Sequence, residues 1–166
     1  MVAMRARFWF GLALALAVIG ADQLSKYWVL AIIRLQDIGK IELSGVFDLT
    51  FVRNAGVSFG LLHADGGIER WGLIAMSSAI ACAFLFWLRS AERQLSAIAL
   101  GLVIGGALGN VFDRIRFGFV VDFLDFSGLY FPWVFNVADA AITIGAALLI
   151  LDYLFAEGPA RQKQAA

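Results

Sequence analysis

Apolar residues in this chain come in four long runs, and polar residues gather between them. The runs extend from about Phe8 to Ile33, Trp71 to Leu88, Leu95 to Phe112 and Val134 to Phe155. Each is long enough for a helix crossing a hydrocarbon core about 30 Å thick, which takes about 20 residues. Only Arg89-Ser90-Ala91-Glu92-Arg93 separates the second run from the third, which predicts a tight helical hairpin. In the first loop, residues 34 to 70, the stretch Val46-Phe47-Asp48-Leu49-Thr50-Phe51-Val52 is β-rich with partial alternation, and Gly45, Gly56, Gly60, Gly66 and Gly67 punctuate the loop. That pattern predicts a small strand-containing platform on the membrane surface. In the second loop, residues 114 to 133, Gly118 to Phe126 reads as an extended, aromatic-rich piece. The short polar tail after Glu157 is expected to be disordered. The fold class is an α-helical polytopic membrane protein: four transmembrane helices and a small β-containing platform, in one membrane-embedded domain over residues 1 to 166.

Arg5 and Arg7 ahead of an apolar run also describe a secretory signal peptide. The run continues past Asp22 and Lys26 to Ile33 and three further spans follow, so an uncleaved first helix is expected. Four spans put both termini on one side, and the positive-inside rule makes that side cytoplasmic, with Arg5, Arg7, Arg89, Arg93, Arg161 and Lys163. The two longer loops then face outward. Trp9, Trp28, Trp71, Trp87 and Trp133 read mostly as interfacial anchors.

Composition agrees with a membrane protein. Of 166 residues, 61% are hydrophobic and 16% charged, against roughly 45–50% and 25% in ordinary domains. Thirteen basic and 13 acidic residues cancel, so no nucleic-acid footprint is present. The lone Cys82 lies in an apolar run and reads as a small buried hydrophobe, and the lone His63 argues against a His-based zinc site.

Charged residues at membrane depth are rare and usually functional. Asp22 lies 13 residues beyond Trp9, about 20 Å along a helix, in the outer third of the core. Lys26 follows at i+4, which suits an ion pair. In the third run, Gly101, Gly105, Gly109 and Asp113 form one stripe; the small residues allow close helix approach, and the stripe ends in a carboxylate. Asn110 emerges at the same boundary. Arg114 could pair with Asp113 or with a lipid headgroup. The fourth run opens on Asn136 and Asp139, read as N-cap and N3 carboxylate. The loops add Arg53, Asn54, Asp122 and Asp125. All converge on one depth and one side, which favours a shared site. Asp152, near the other end of the fourth run, reads as a boundary residue, and Asp125 as a supporting or solvated carboxylate.

No GxSxG elbow or HExxH occurs, and no serine has an evident His or Lys partner beyond Ser25 beside Lys26. Aspartate remains in quantity. Two carboxylates sharing a partly desolvated site have their proton affinities driven apart, so that one holds a proton while the other takes one from attacking water. Asp139 at a helix start suits the ionised role and Asp122 the protonated one. Asn136, Asn110 and Arg114 could position the pair or its substrate.

Five stretches in order carry a family resemblance: Asp22-Gln23-Leu24-Ser25-Lys26, Arg53-Asn54-Ala55-Gly56-Val57-Ser58-Phe59-Gly60, Gly105 to Arg114, Val120-Val121-Asp122-Phe123, and Phe135-Asn136-Val137-Ala138-Asp139. Over essentially its whole length the chain resembles lipoprotein signal peptidase, or signal peptidase II. The resemblance implies an aspartic endopeptidase of the bacterial inner membrane, with its site on the periplasmic side beneath a β-platform. It would remove the signal peptide from diacylglyceryl-modified prolipoproteins just before the lipidated cysteine, without a metal or other cofactor. The catalytic pair falls on Asp122 and Asp139, and the supporting residues on Asp22, Lys26, Asn54, Gly56, Asn110, Asp113, Arg114 and Asn136. Sensitivity to globomycin-type cyclic peptides, contact with membrane lipids and a monomeric state are further expectations. Val57-Ser58, Trp133-Val134 and Ala140 depart from the family pattern without touching those positions. The competing readings are a small proton- or ion-coupled transport protein using the same carboxylates as a relay, which favours midplane acids and an internal repeat, and a non-enzymatic assembly factor.

Overall fold

The computed structural model describes residues 2–56 and 67–157. Val57 to Phe59, Gly60, His63, Gly66 and the tail after Glu157 lie outside the described residues. In order, the elements are α1 (Val2–Tyr27), continued by a π-helical turn (Trp28–Ile32), α2 (Leu35–Ile38), β1 (Lys40–Glu42), β2 (Asp48–Asn54), α3 (Gly67–Leu88), α4 (Gln94–Phe117), β3 (Val120–Asp125), a 3-10 turn (Ser127–Leu129), β4 (Val134–Phe135) and α5 (Val137–Glu157). Among the described residues, four helices are long and apolar enough to cross a membrane: α1 with its π turn, α3, α4 and α5. The protein is a multi-pass membrane protein with a small antiparallel sheet.

Of the helix limits that differ from the hydropathy pattern, three have a clear local reason. Helix α1 begins at Val2 and takes in Arg5 and Arg7, since arginine is a good helix former whatever its hydropathy. Helix α4 runs five residues past Phe112 and stops where Gly118 adopts φ +85° as a left-handed cap. The last apolar run is divided: Val134 and Phe135 are strand, with Phe135 opposite Leu124 of β3, and the helix starts only at Val137.

Helix α4 is the centre of the bundle. Inside the protein, 72% of its apolar window is buried, against 22% for α1, 17% for α3 and 22% for α5. Small residues allow this. A Cβ at Gly101 would lie 2.6 Å from the Gly11 carbonyl oxygen, and one at Gly105 would lie 2.7 Å from that of Ala15, so the expected glycine stripe is where α1 docks. A second glycine face admits α5, since a Cβ at Gly106 would lie 2.3 Å from the Ala138 carbonyl oxygen. Gly106→Ala is therefore expected to destabilise the fold by about 1–3 kcal/mol through overpacking, read as a lower unfolding temperature in detergent.

At the end away from the sheet, Asp152 is not a bystander. It accepts a hydrogen bond from Ser96 Oγ and pairs with Arg93 at 3.1 Å, tying α5 to the start of α4. Cys82 is exposed on α3 instead of buried, because α3 packs along only one face.

The sheet has strand order β1-β2-β3-β4. Between the pairs Leu49↔Leu124 and Val52↔Asp122, two residues of β2 oppose one of β3. This bulge brings Asn54 opposite Val120, on the same face as Asp122; without it the register would slip by one and turn Asn54 to the other face. Val29, Leu35, Leu49, Val121 and Phe123 form the core that seats the sheet on the π-helical end of α1.

Candidate active site

Each polar residue reaches the sheet end of the bundle by a different local device. Asn136 caps α5: its Oδ1 accepts the Asp139 N–H at 2.9 Å, as the Asn-x-x-Asp spacing predicts. The Asp139 carboxylate does not return to the cap, however. It accepts from Asn110 Nδ2 of α4 at 2.8 Å. Asp122 enters on β3 and is 1% exposed. Gly56, at φ +97°, donates its N–H to Asn54 Oδ1 at 2.9 Å. That bond fixes the amide so that Asn54 Nδ2 faces Asp122 Oδ2 at 2.9 Å.

The two carboxylates are joined by a continuous hydrogen-bonded path. Asn136 Nδ2 donates to Asp122 Oδ1 at 2.6 Å and to Asn110 Oδ1 at 3.3 Å, and Asn110 Nδ2 then donates to Asp139. Every amide in the path has its oxygen and nitrogen assigned by a bond to a group of one kind: a backbone N–H on Asn136 Oδ1, carboxylates on the two Nδ2 atoms. Asp122 is pushed up from its ordinary 3.8 to about 6. Burial is the largest cause, and the charge of Asp139 adds to it; the Asn54 and Asn136 donors and Lys26 oppose it.

Beneath this pair lies a buried ionic cluster. Lys26 Nζ is 2.8 Å from Asp22 and 2.7 Å from Asp113, so the expected i, i+4 pair exists and gains a third member. Asp113 pairs with Lys26 and not with its neighbour Arg114. Among the described residues, the Arg114 guanidinium makes a single 3.5 Å bond, from Nη1 to the Asn110 carbonyl, and its buried Nε has no hydrogen-bond partner. Asp125 lies apart from this network. It accepts from Thr50 Oγ1 and the Ser127 N–H, with Lys40 at 3.9 Å, and these donors hold its carboxyl below the usual range. Lys40 also pairs with Asp48 at 2.9 Å, lacing β1 to β2.

Beside Asp139 an apolar recess of about 310 Å³ opens between the 130–135 loop and α5, walled by Phe131, Trp133, Phe135, Thr143 and Ile144. A buried carboxylate, a half-buried one, a polar path between them and a greasy recess alongside suit proton transfer on an amphiphilic substrate. Among the described residues no group of three or more His, Cys, Asp or Glu is arranged to hold a metal ion.

A family model described as signal peptidase (SPase) II matches residues 14–155. The chain belongs to the signal peptidase II family. It is 45% identical over 150 residues to a lipoprotein signal peptidase of Caulobacter vibrioides, covering 90% of this chain and 89% of that protein. It is 47% identical over 136 residues to a lipoprotein signal peptidase of Shewanella amazonensis, covering 80% and 79%. A solved bacterial membrane enzyme shares the fold at a TM-score of 0.74 and 29% identity, over 87% of this chain and 92% of the other. A second such structure matches at 0.73 and 28%, over 87% of both.

As a signal peptidase II family member the protein is a peptidase, and the transport reading finds no support. Sequence reasoning brought all ten site residues to one end of the molecule, and the structure joins nine of them through hydrogen bonds or ion pairs of the two networks; among the described residues Gly56 bonds to Asn54. It missed Gln23. Gln23 Nε2 bridges Asp22 Oδ2 at 3.0 Å and Asp113 Oδ1 at 2.9 Å. Its only sequence signal is position: it lies between Asp22 and Lys26, inside the first motif.

Proposed function

We propose that the protein removes signal peptides from diacylglyceryl-modified prolipoproteins as an aspartic endopeptidase, with Asp122 and Asp139 as the catalytic pair. The observation that carries this reading is the path Asp122–Asn136–Asn110–Asp139, which couples a buried and a half-buried carboxylate contributed by separate elements. The raised proton affinity of buried Asp122 supports its role as the acid of the pair. Protonated Asp122 donates its proton to the scissile carbonyl oxygen, and Asp139 removes a proton from water as the water oxygen attacks the carbonyl carbon. The tetrahedral intermediate collapses with cleavage of the C–N bond. The leaving amine of the lipidated cysteine takes a proton from Asp139, the signal peptide departs as a carboxylic acid, and Asp122 recovers its proton. The Arg114 donors without a partner among the described residues are available to backbone carbonyls of the substrate, and the recess beside Asp139 to one of its apolar groups.

The site faces the periplasm from the inner membrane, with both termini in the cytoplasm; the density of Lys and Arg in the short segments supports that orientation. The test is direct. The purified protein, given a synthetic diacylglyceryl precursor, is expected to release a peptide ending one residue before the lipidated cysteine, identified by mass spectrometry and blocked by a globomycin-type peptide. Equal cleavage of the unlipidated precursor, or none of either, would overturn the substrate assignment.

A further inference from the structure

We propose that Asp22, Gln23, Lys26 and Asp113 form a positioning clamp that sets the relative placement of Asp122 and Asp139. The inference deepens the peptidase reading and rests on it. Asp22 and Asp113 are wholly buried and Lys26 is 2% exposed. A buried ion cluster is no more stabilising than well-packed apolar side chains of the same size, so stability alone does not account for it.

What the cluster holds is more informative. Asp22 Oδ2 accepts from Lys26 and Gln23, while its Oδ1 accepts the Ala138 N–H at 3.0 Å. Asp113 Oδ1 accepts from Gln23, while its Oδ2 meets Lys26 and accepts the Val121 N–H at 3.0 Å. Val121 and Ala138 are the residues immediately before Asp122 and Asp139. Each carboxylate thus grips the backbone one residue from a catalytic carboxylate, and Lys26 and Gln23 bind the two grips together. The chain separations are wide: 116 residues from Asp22 to Ala138, and 90 from Gln23 to Asp113. Helix α1 thereby ties β3 to the start of α5. Gln23 and Lys26 also line a recess of about 170 Å³ with Tyr27, Leu30, Arg116 and Phe117, so the cluster borders the bundle's outer surface. A shift of about 1 Å in a reacting group can cost about 100-fold in rate, which sets the expected size of the effect.

The test uses the full-length protein and the lipid-modified precursor. Asp22→Ala and Asp113→Ala are expected to lower kcat by about 100-fold with KM little changed. Asp22→Asn and Asp113→Asn, which keep an oxygen for the backbone N–H, should lose much less. Gln23→Leu should lower kcat without loss of folding, because the ionic core remains. Amide exchange gives a readout independent of turnover: Asp113→Ala should speed exchange at Val121, and Asp22→Ala at Ala138. Where an Ala variant does not fold, the Asn variants and Gln23→Leu decide by the same split of kcat from KM. Wild-type kcat in Gln23→Leu, unchanged exchange at both amides, or equal losses in Ala and Asn variants that follow unfolding temperature would each overturn the clamp. Asp122→Asn assayed in parallel separates the two ideas. If it cleaves normally the dyad fails, while amide exchange still judges the clamp.

Discussion

Asp122→Asn and Asp139→Asn are each expected to reduce kcat on a lipid-modified precursor by about 10³-fold or more, with folding retained. Asn is isosteric, so the partners of each carboxylate lose little packing, but an amide can neither take a proton from water nor hold one for the carbonyl. General acid and general base contributions run to about 10²–10⁴-fold each. Because the two groups share one proton, the double variant should lose little more than either single one. Retained activity in either single variant would remove that residue from the chemistry. The variants also separate by titration. Asp139→Asn removes a charge that raises Asp122, so the Asp122 midpoint should fall below about 6, read from the infrared carbonyl band of the protonated acid against pH.

Asn136→Ala is the second large effect, since one side chain serves both members of the dyad. Its Oδ1 caps α5 at the Asp139 N–H, and its Nδ2 is the 2.6 Å donor to Asp122. Losing the cap costs about 1 kcal/mol. Leaving buried Asp122 short of a donor costs about 1–3 kcal/mol more. The Asn136 bond favours the ionised form of Asp122, so its removal should move the midpoint above about 6, opposite in sign to Asp139→Asn. The effect on stability follows the same sign. A carboxyl raised from 3.8 to about 6 contributes most below pH 3.8, where folded and unfolded chains both carry the proton, and its contribution falls as pH rises through that window. In Asn136→Ala the fall should extend to higher pH, measured as unfolding temperature against pH. A midpoint that stayed in place would mean the Asn136–Asp122 bond does not govern the proton.

Much of the architecture is readable from local pattern because the bilayer is an unforgiving solvent. Runs of about 20 apolar residues have few alternatives to spanning it, and the Gly101-Gly105-Gly109-Asp113 spacing marks one helix face whatever packs on it. Asn136 was legible as a cap because capping is settled within four residues. The limits of α4 and α5 were not, since hydropathy falls at Asp113 although helix propensity does not, and Val134 and Phe135 are apolar yet belong to a strand whose partner is β3.

The sequence by itself determined the four spans and the end of the molecule where polar residues collect, and the motifs around Asp122 and Asp139 made that pair the expected centre of the site. Only tertiary structure decided which group each of them meets. The Asp113 choice of Lys26 over the adjacent Arg114, the role of Gln23, the bulge that turns Asn54 toward Asp122, and the bonding of Asp152 to Ser96 and Arg93 all depend on contacts between distant segments. Side-chain periodicity reports which face a residue occupies. It carries no information about what a different helix, docked through glycines, will place opposite that face.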